Sequence, residues 1–372
     1  MQFNNIRPYK NDEIEEAMSR LLKEHEFFQG LQYFCPEWNK EDIINKAKNI
    51  KRSIDFQKIF MYKAVTGILK NSSEGFSYSG IKNIKPNEAY LYIANHRDIF
   101  LDSALLQLIL FENNINTTQI TFGSNLMSSQ LLIDIGKINK MFTVLRSTDK
   151  QKMYKISIML SKYIRNTICT SKESVWIAQR NGRTKDGNDS TQSGLLKMLN
   201  ISSDKDFIKS FGDLKIVPLS ISYEYEPCDQ YKVLELLESK KSTYKKKPGE
   251  DLQSIISGIA ENKGKIHITI GKPVISKLKK INQSNNYKEK INLLAKEIDQ
   301  QIHSNYRLWK TNYIAYDILE QSNKFSEYYS EEDKKAFINY LEKKEVNFKE
   351  DHDEFEKIFL KIYSNPVKNS KL

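Results

Sequence analysis

The sequence predicts an α/β fold in which a largely parallel sheet is flanked by helices, with a helical lead before it and a helical extension after it. Two observations carry this. Short runs rich in β-branched and aromatic residues alternate with helical periodicity through the middle of the chain, whereas both ends are helical in pattern. The 372 residues, 39% of them hydrophobic, suffice for one large core or two modest ones. The expected divisions are a helical region 1–75, a central domain 76–275 and a helical extension 276–372.

From Asp12 to about Lys70, apolar residues such as Ile14, Met18, Leu21 and Leu22, then Ile50, Ile54, Ile59 and Tyr62, recur every three to four positions. Asn71-Ser72-Ser73-Glu74-Gly75 breaks this pattern, and Gly80 and Pro86 mark turns. The alternating series follows: strand Tyr90–Ala94, helix Leu101–Phe111, strand Thr118–Gly123, helix Ser128–Lys137, strand Phe142–Leu145 and helix Lys150–Ile168. It continues with strand Ser174–Ala178, helix Thr191–Leu199 and strand Lys215–Tyr223. A basic exposed loop is expected at Lys240–Gly249, a strand at Lys265–Gly271 and a Lys-rich linker around Lys277–Lys280. The long helical region Tyr287–Leu319 carries Tyr306, Trp309 and Tyr313 as core aromatics, and helices are expected near Glu331–Lys343 and Phe355–Tyr363.

Lys+Arg 58 against Asp+Glu 47 leaves a net charge of +11, which suits a polyanionic partner: nucleic acid, anionic lipid or an acidic carrier protein. No helix-turn-helix, RNA-binding or zinc-finger signature accompanies that charge, so nucleic acid is not expected as a partner. Cys35, Cys169 and Cys228 are far apart and form no CxxC, which suggests neither a disulfide framework nor a zinc site and fits a reducing cytoplasm. The N-terminus lacks the apolar core of a signal peptide, and no stretch approaches the ~18 apolar residues of a membrane span. Any membrane contact is therefore expected at the surface, on the cytoplasmic side.

The stretch Asn95-His96-Arg97-Asp98-Ile99-Phe100-Leu101-Asp102 falls where a strand hands over to a helix. In parallel sheets, sites form at such carboxyl ends, and the helix start offers free N–H groups to an anion. His96 is the candidate base, with either Asp98 or Asp102 as its partner; alternatively, Asp98 simply caps the helix. Three later segments also pair strand ends with basic or turn-forming residues. They are Gly136 to Arg146, ending a strand in an arginine; Gln179-Arg180-Asn181-Gly182-Arg183-Thr184-Lys185-Asp186-Gly187; and Ile216-Val217-Pro218-Leu219. Competing readings pair Arg146 with Asp149 and leave Arg183 and Lys185 on an exposed loop. His25, His267, His303 and His352 have no adjacent partner motif and are expected to be structural or surface residues.

Taken in order, these segments resemble the blocks of the glycerolipid acyltransferase family, the glycerol-3-phosphate and 1-acylglycerol-3-phosphate O-acyltransferases, across about residues 80–275. Within it the resemblance is to a soluble, long-chain bacterial branch reading Asn-His-Arg-Asp and later Gly-Arg-x-Lys-Asp-Gly. The resemblance implies an acyltransferase-like α/β catalytic domain in phospholipid synthesis. His96 would be the general base, Asp102 or its rival Asp98 would orient it, and Arg146 and Arg183 would hold an acceptor phosphate. Arg97, Asn181 and Lys185 would join the substrate-binding set, Gly182 would allow close backbone approach, and Pro218 would shape the acyl wall. The implied donor is acyl-ACP or acyl-CoA, and the implied partners are a phosphate-bearing glycerolipid acceptor and an anionic membrane surface at the inner face of the cell membrane. No metal or bound redox cofactor is required, since a thioester already contains a good leaving group. Two departures stand out: five residues rather than four separate His96 from Asp102, and Asn181 replaces the family's glutamate.

Overall fold

The computed structural model describes residues 3–127, 129–241, 244–345 and 352–370. Among them, seven strands form one sheet: β1 (Gly75–Ser79), β2 (Leu91–Ala94), β3 (Gln119–Gly123), β4 (Met141–Val144), β5 (Val175–Ala178), β6 (Ile216–Tyr223) and β7 (Lys265–Ile270). Their spatial order is β1-β7-β6-β2-β5-β3-β4. β6, β2, β5, β3 and β4 run parallel; β7 is antiparallel to β6, and β1 parallel to β7.

The central strands read as unbroken apolar runs because both of their faces are covered. Leu91 and Ile93 of β2 join a cluster with Ile164, Leu199, Ile216 and Ile298, while Tyr92 and Ala94 join Leu105, Ile109 and Leu219 on the other face. A helical N-terminal layer around Ile14, Met18, Phe28 and Phe60 packs onto Ile138, and the C-terminal helices build their own core from Ile314, Phe337, Phe355 and Phe359 against Val233 and Leu237.

The predicted strands and helices of the alternating series are present within a residue or two; the first residue of the predicted helix Ser128–Lys137 lies outside the described residues, and the helix observed is Gln130–Ile138. Strand β1 starts at Gly75, the last residue of the expected break, and runs through residues for which no element was expected. It is short, glycine-led and partly exposed, and only the free edge of β7 makes it a strand, through the register Phe76–Ile266 and Tyr78–Ile268. The expected linker is instead the helix Ile275–Ile281, held by buried Leu278 and Ile281. The long helical region divides into Tyr287–Asn305 and Lys310–Leu319, the second capped where Trp309 N donates to Asn312 Oδ1 at 2.8 Å. The basic stretch Lys240–Gly249 begins as the end of the helix Asp229–Lys241; Ser242 and Thr243 lie outside the described residues. No helix of the described residues is long and apolar enough to cross a membrane.

The topology creates the crevice. From β2 the chain enters the helix Leu101–Glu112 on one face of the sheet, and from neighbouring β5 it enters the helix Ser193–Asn200 on the other. Adjacent strands whose connections depart to opposite faces leave a gap at their carboxyl ends, which is the preferred ligand position in open α/β sheets.

Two glycines in the loop after β5 share a left-handed backbone, φ +74°, in different surroundings. A Cβ at Gly187 would collide with the Ile362 carbonyl of the C-terminal helix His352–Asn369, whereas Gly182 faces open space. Gly182→Ala therefore should cost only the left-handed penalty, about 1–2 kcal/mol. Gly187→Ala adds a backbone clash and should cost about 3 kcal/mol or more by urea unfolding.

Candidate functional site

The loop leaving β2 is held from the side by Asn95. Its amide accepts from Ile221 N (2.8 Å) and donates to Ile221 O (2.9 Å) and to Asp189 Oδ2 (3.1 Å), extending the β2–β6 pairing by one side-chain rung. The next residue, His96, keeps 15% of its side chain exposed and lies edge-on to Trp176 at 5.7 Å between ring centroids.

His96 Nδ1 lies 2.9 Å from Asp102 Oδ2. The same oxygen accepts from Arg97 N (2.6 Å) and Asp98 N (3.0 Å), and Oδ1 accepts from Tyr223 Oη (2.8 Å). A carboxylate is acceptor-only, so the histidine proton belongs on Nδ1, leaving Nε2 with its lone pair and, among the described residues, without a hydrogen bond. The extra residue between histidine and aspartate is absorbed before the helix: residues 97–100 are non-helical, and Asp102 is reached without any rotation around a helical turn. Burial and the nearby Asp102 push the Tyr223 hydroxyl well above its ordinary pKa, keeping it a donor.

Asp98 is not the partner of His96. Its Oδ1 accepts from Phe100 N (2.8 Å) and Leu101 N (2.7 Å), capping the helix Leu101–Glu112, and its Oδ2 is buried without a partner. Burial first, and then Asp102, raise its pKa. Arg97, expected in the substrate set, is likewise turned inward. Its fully buried guanidinium donates to Asp189 Oδ2 (2.6 Å), Glu226 Oε2 (3.1 Å) and Gly187 O (3.2 Å), and lies 5.3 Å from the Tyr306 ring centre. Burial works against this charge, but Asp189 and Glu226 outweigh it and hold its pKa well above the ordinary value. Lys232 completes the buried group, donating to Glu226 Oε1 (2.5 Å) and to the Arg97 carbonyl (2.8 Å).

The loop after β5 is joined to the histidine loop by Thr184 N donating to His96 O at 2.8 Å. Beside it, Arg183 is buried to 7% exposure, not spread on an exposed loop, and its Nη1 has no hydrogen-bond partner. Arg146, at the end of β4, is exposed and donates to Asn181 Oδ1 at 3.2 Å; Asp149 instead caps the helix Lys150–Arg165 through Lys152 N. Lys185 pairs with Glu235, and burial together with Arg183 lowers its pKa to about 8. Arg146, Asn181, Gly182, Arg183 and Lys185 are thus carried on two loops at the same sheet edge as His96.

Pro218 does not belong to this edge. It is buried within β6 opposite Ile93, where its carbonyl accepts from Gly271 N (2.8 Å). Its ring nitrogen faces the same side, beyond the last β6–β7 pair Leu219–Ile270, where a missing N–H costs no strand bond. An apolar cavity lies on the face opposite to Pro218, between Phe100, Ala104 and Leu108 of the first crossover and Met61, Tyr62 and Val65 of the N-terminal layer. Gln57 and Thr117, hydrogen-bonded at 2.8 Å, border it.

Of the remaining histidines, His303 Nε2 reaches Asp189 O (2.5 Å), His267 pairs with Ser77 and His352 with Glu345. The three cysteines are free, and no cluster of His, Cys, Asp and Glu suited to a metal occurs among the described residues. Tyr223, Asp189, Glu226 and Lys232 were not anticipated. Tyr223 alone had a sequence cue, as a polar-tipped residue at the carboxyl end of a predicted strand.

Lys185 sets a pH dependence. Its pKa of about 8, below the ordinary 10.5, means that the unfolded chain binds more protons between those values, so this group's contribution to stability rises with pH across that window. The melting temperature of the wild type should therefore gain on that of Lys185→Met from pH 8 to pH 10.

No family model and no curated protein matches the sequence. Among solved structures the chain is similar to the 1-acyl-sn-glycerophosphate (LPA) acyltransferase PlsC from Thermotoga maritima, with a TM-score of 0.40 and 13% identity over 79% of this chain and 95% of that one.

Proposed function

We propose that the chain is an O-acyltransferase that moves a fatty acyl group from a thioester, acyl-ACP or acyl-CoA, to a hydroxyl of glycerol 3-phosphate or lysophosphatidate, working at the inner face of a cell membrane. The observation that carries this is the His96–Asp102 pair at 2.9 Å, with Nε2 free to accept a proton at the carboxyl edge of the sheet.

In this mechanism Nε2 takes the proton of the acceptor hydroxyl as its oxygen attacks the thioester carbonyl carbon. The carbon–sulfur bond then breaks, and the thiolate leaves with the proton returned by the imidazolium. Asp102 fixes the tautomer and offsets the positive charge that develops on His96. Arg183, a buried cation whose Nη1 lacks a partner, suits a phosphate, with Arg146 beside it. Asn181 contributes an amide to that loop and no charge. The apolar lining of the cavity that includes Phe100, on the segment following His96, suits contact with part of a fatty chain.

Transfer from a labelled thioester to glycerol 3-phosphate, with the product identified by mass spectrometry, tests the reading. His96→Ala should lower kcat by about 10²–10⁴, the usual share of general-base catalysis. Asp102→Asn should lower kcat by a comparable factor, whereas Asp98→Asn, which retains a capping oxygen, should transfer at close to the wild-type rate. Full activity in His96→Ala refutes the assigned base. Arg183→Met should raise KM for the phosphate acceptor by about 10–100-fold, the loss of a charge-assisted hydrogen bond, with a smaller effect on the thioester.

A further inference from the structure

We propose that the helix Glu250–Ala260 is the face on which the chain sits on an anionic bilayer, bringing a lipid acceptor to the mouth of the site; its use rests on the acyltransferase reading above. The helix roofs the crevice. At Gly258 it lies so close to Asp98 that a Cβ would collide with that carboxylate, Ser254 O accepts from Cys228 Sγ (3.2 Å), and Asp251 Oδ2 accepts from Asn125 Nδ2 (2.7 Å) just beyond β3. Asp251 also feels the charge of Arg183. One helix therefore spans the exits of β2 and β3, directly over the loop bearing His96.

Its outer face presents two large apolar side chains to solvent, beside the exposed Gln253. Leu252 and Ile256, one helical turn apart, are 48% and 53% exposed. In the segment leading into the helix, Lys245 and Lys247 are exposed and, among the described residues, in no ion pair. The acidic side chains at the helix start are engaged: Asp251 with Lys246 and Asn125, and Glu250 with Lys247 N at 3.0 Å. Leucine and isoleucine can enter the acyl boundary while flexible ammonium groups remain among phosphate headgroups. A protein partner fits less well, because protein interfaces are depleted in lysine and enriched in arginine and aromatic residues.

Co-sedimentation with phosphatidylglycerol and phosphatidylcholine vesicles tests this. The wild type should bind phosphatidylglycerol vesicles several-fold better, and raised salt should erode the preference. Leu252→Glu/Ile256→Glu should weaken binding about tenfold or more while retaining wild-type circular dichroism and melting, and Lys245→Glu/Lys247→Glu should abolish the lipid preference. His96→Ala should bind vesicles like the wild type, so loss of chemistry and loss of docking are read separately. Failure of the wild type to bind phosphatidylglycerol vesicles overturns the proposal, as does unchanged binding in Leu252→Glu/Ile256→Glu. It is equally overturned if that variant keeps vesicle binding and loses capture of acyl carrier protein, which would make the face a carrier-protein dock.

Discussion

Four charges withdrawn from water at the exit of β2 hold the site in place. Arg97 and Lys232 face Asp189 and Glu226, each 3% exposed or less. Such ions are tolerated only when each finds its counterpart, because an unpaired buried charge costs several kcal/mol. Satisfying them draws together the loop after β2, the loop after β5, the residues following β6 and the helix Asp229–Lys241. The C-terminal extension is tied to the same group: Glu226 N donates to Tyr363 Oη (3.0 Å), which donates to Asp229 Oδ2 (2.7 Å). A helix some 260 residues downstream thereby sets the backbone between His96 and Asp102.

The consequence is a histidine whose partner carboxylate is held from several sides. Asp102 is held by two backbone donors and by Tyr223 as well as by the histidine, so its orientation does not depend on the imidazole alone. Asp98, earlier in the same segment, serves the helix instead. One aspartate ends up as cap and the other as partner because the non-helical residues 97–100 turn the first toward the free N–H groups and the second toward the imidazole.

Arginines in consecutive motifs can look equivalent in one dimension while differing in three. Arg97, Arg146 and Arg183 each follow a strand, but the first is neutralised inside the protein, the second reaches Asn181 at the surface, and the third is buried with an unpaired nitrogen. Only burial and partner geometry separate a structural guanidinium from one available to an anion. The same applies to Lys185, whose charge is shared with Glu235.

The sequence by itself determined the alternation of strands and helices, the parallel character of the central sheet and the location of His96 at a strand's carboxyl end. Those features are written in local periodicity and in apolar runs long enough to be covered on both faces. It also marked the loop of Asn181, Gly182 and Arg183 as a companion to the histidine. Tertiary structure alone decided that β1 is a strand, since its partner β7 lies far along the chain, and that Asp102 rather than Asp98 meets His96. It decided too that Arg97 is buried and that Pro218 sits within the sheet, away from the site edge. Each of these depends on which distant groups are brought within hydrogen-bonding reach, and no local pattern of residues encodes that.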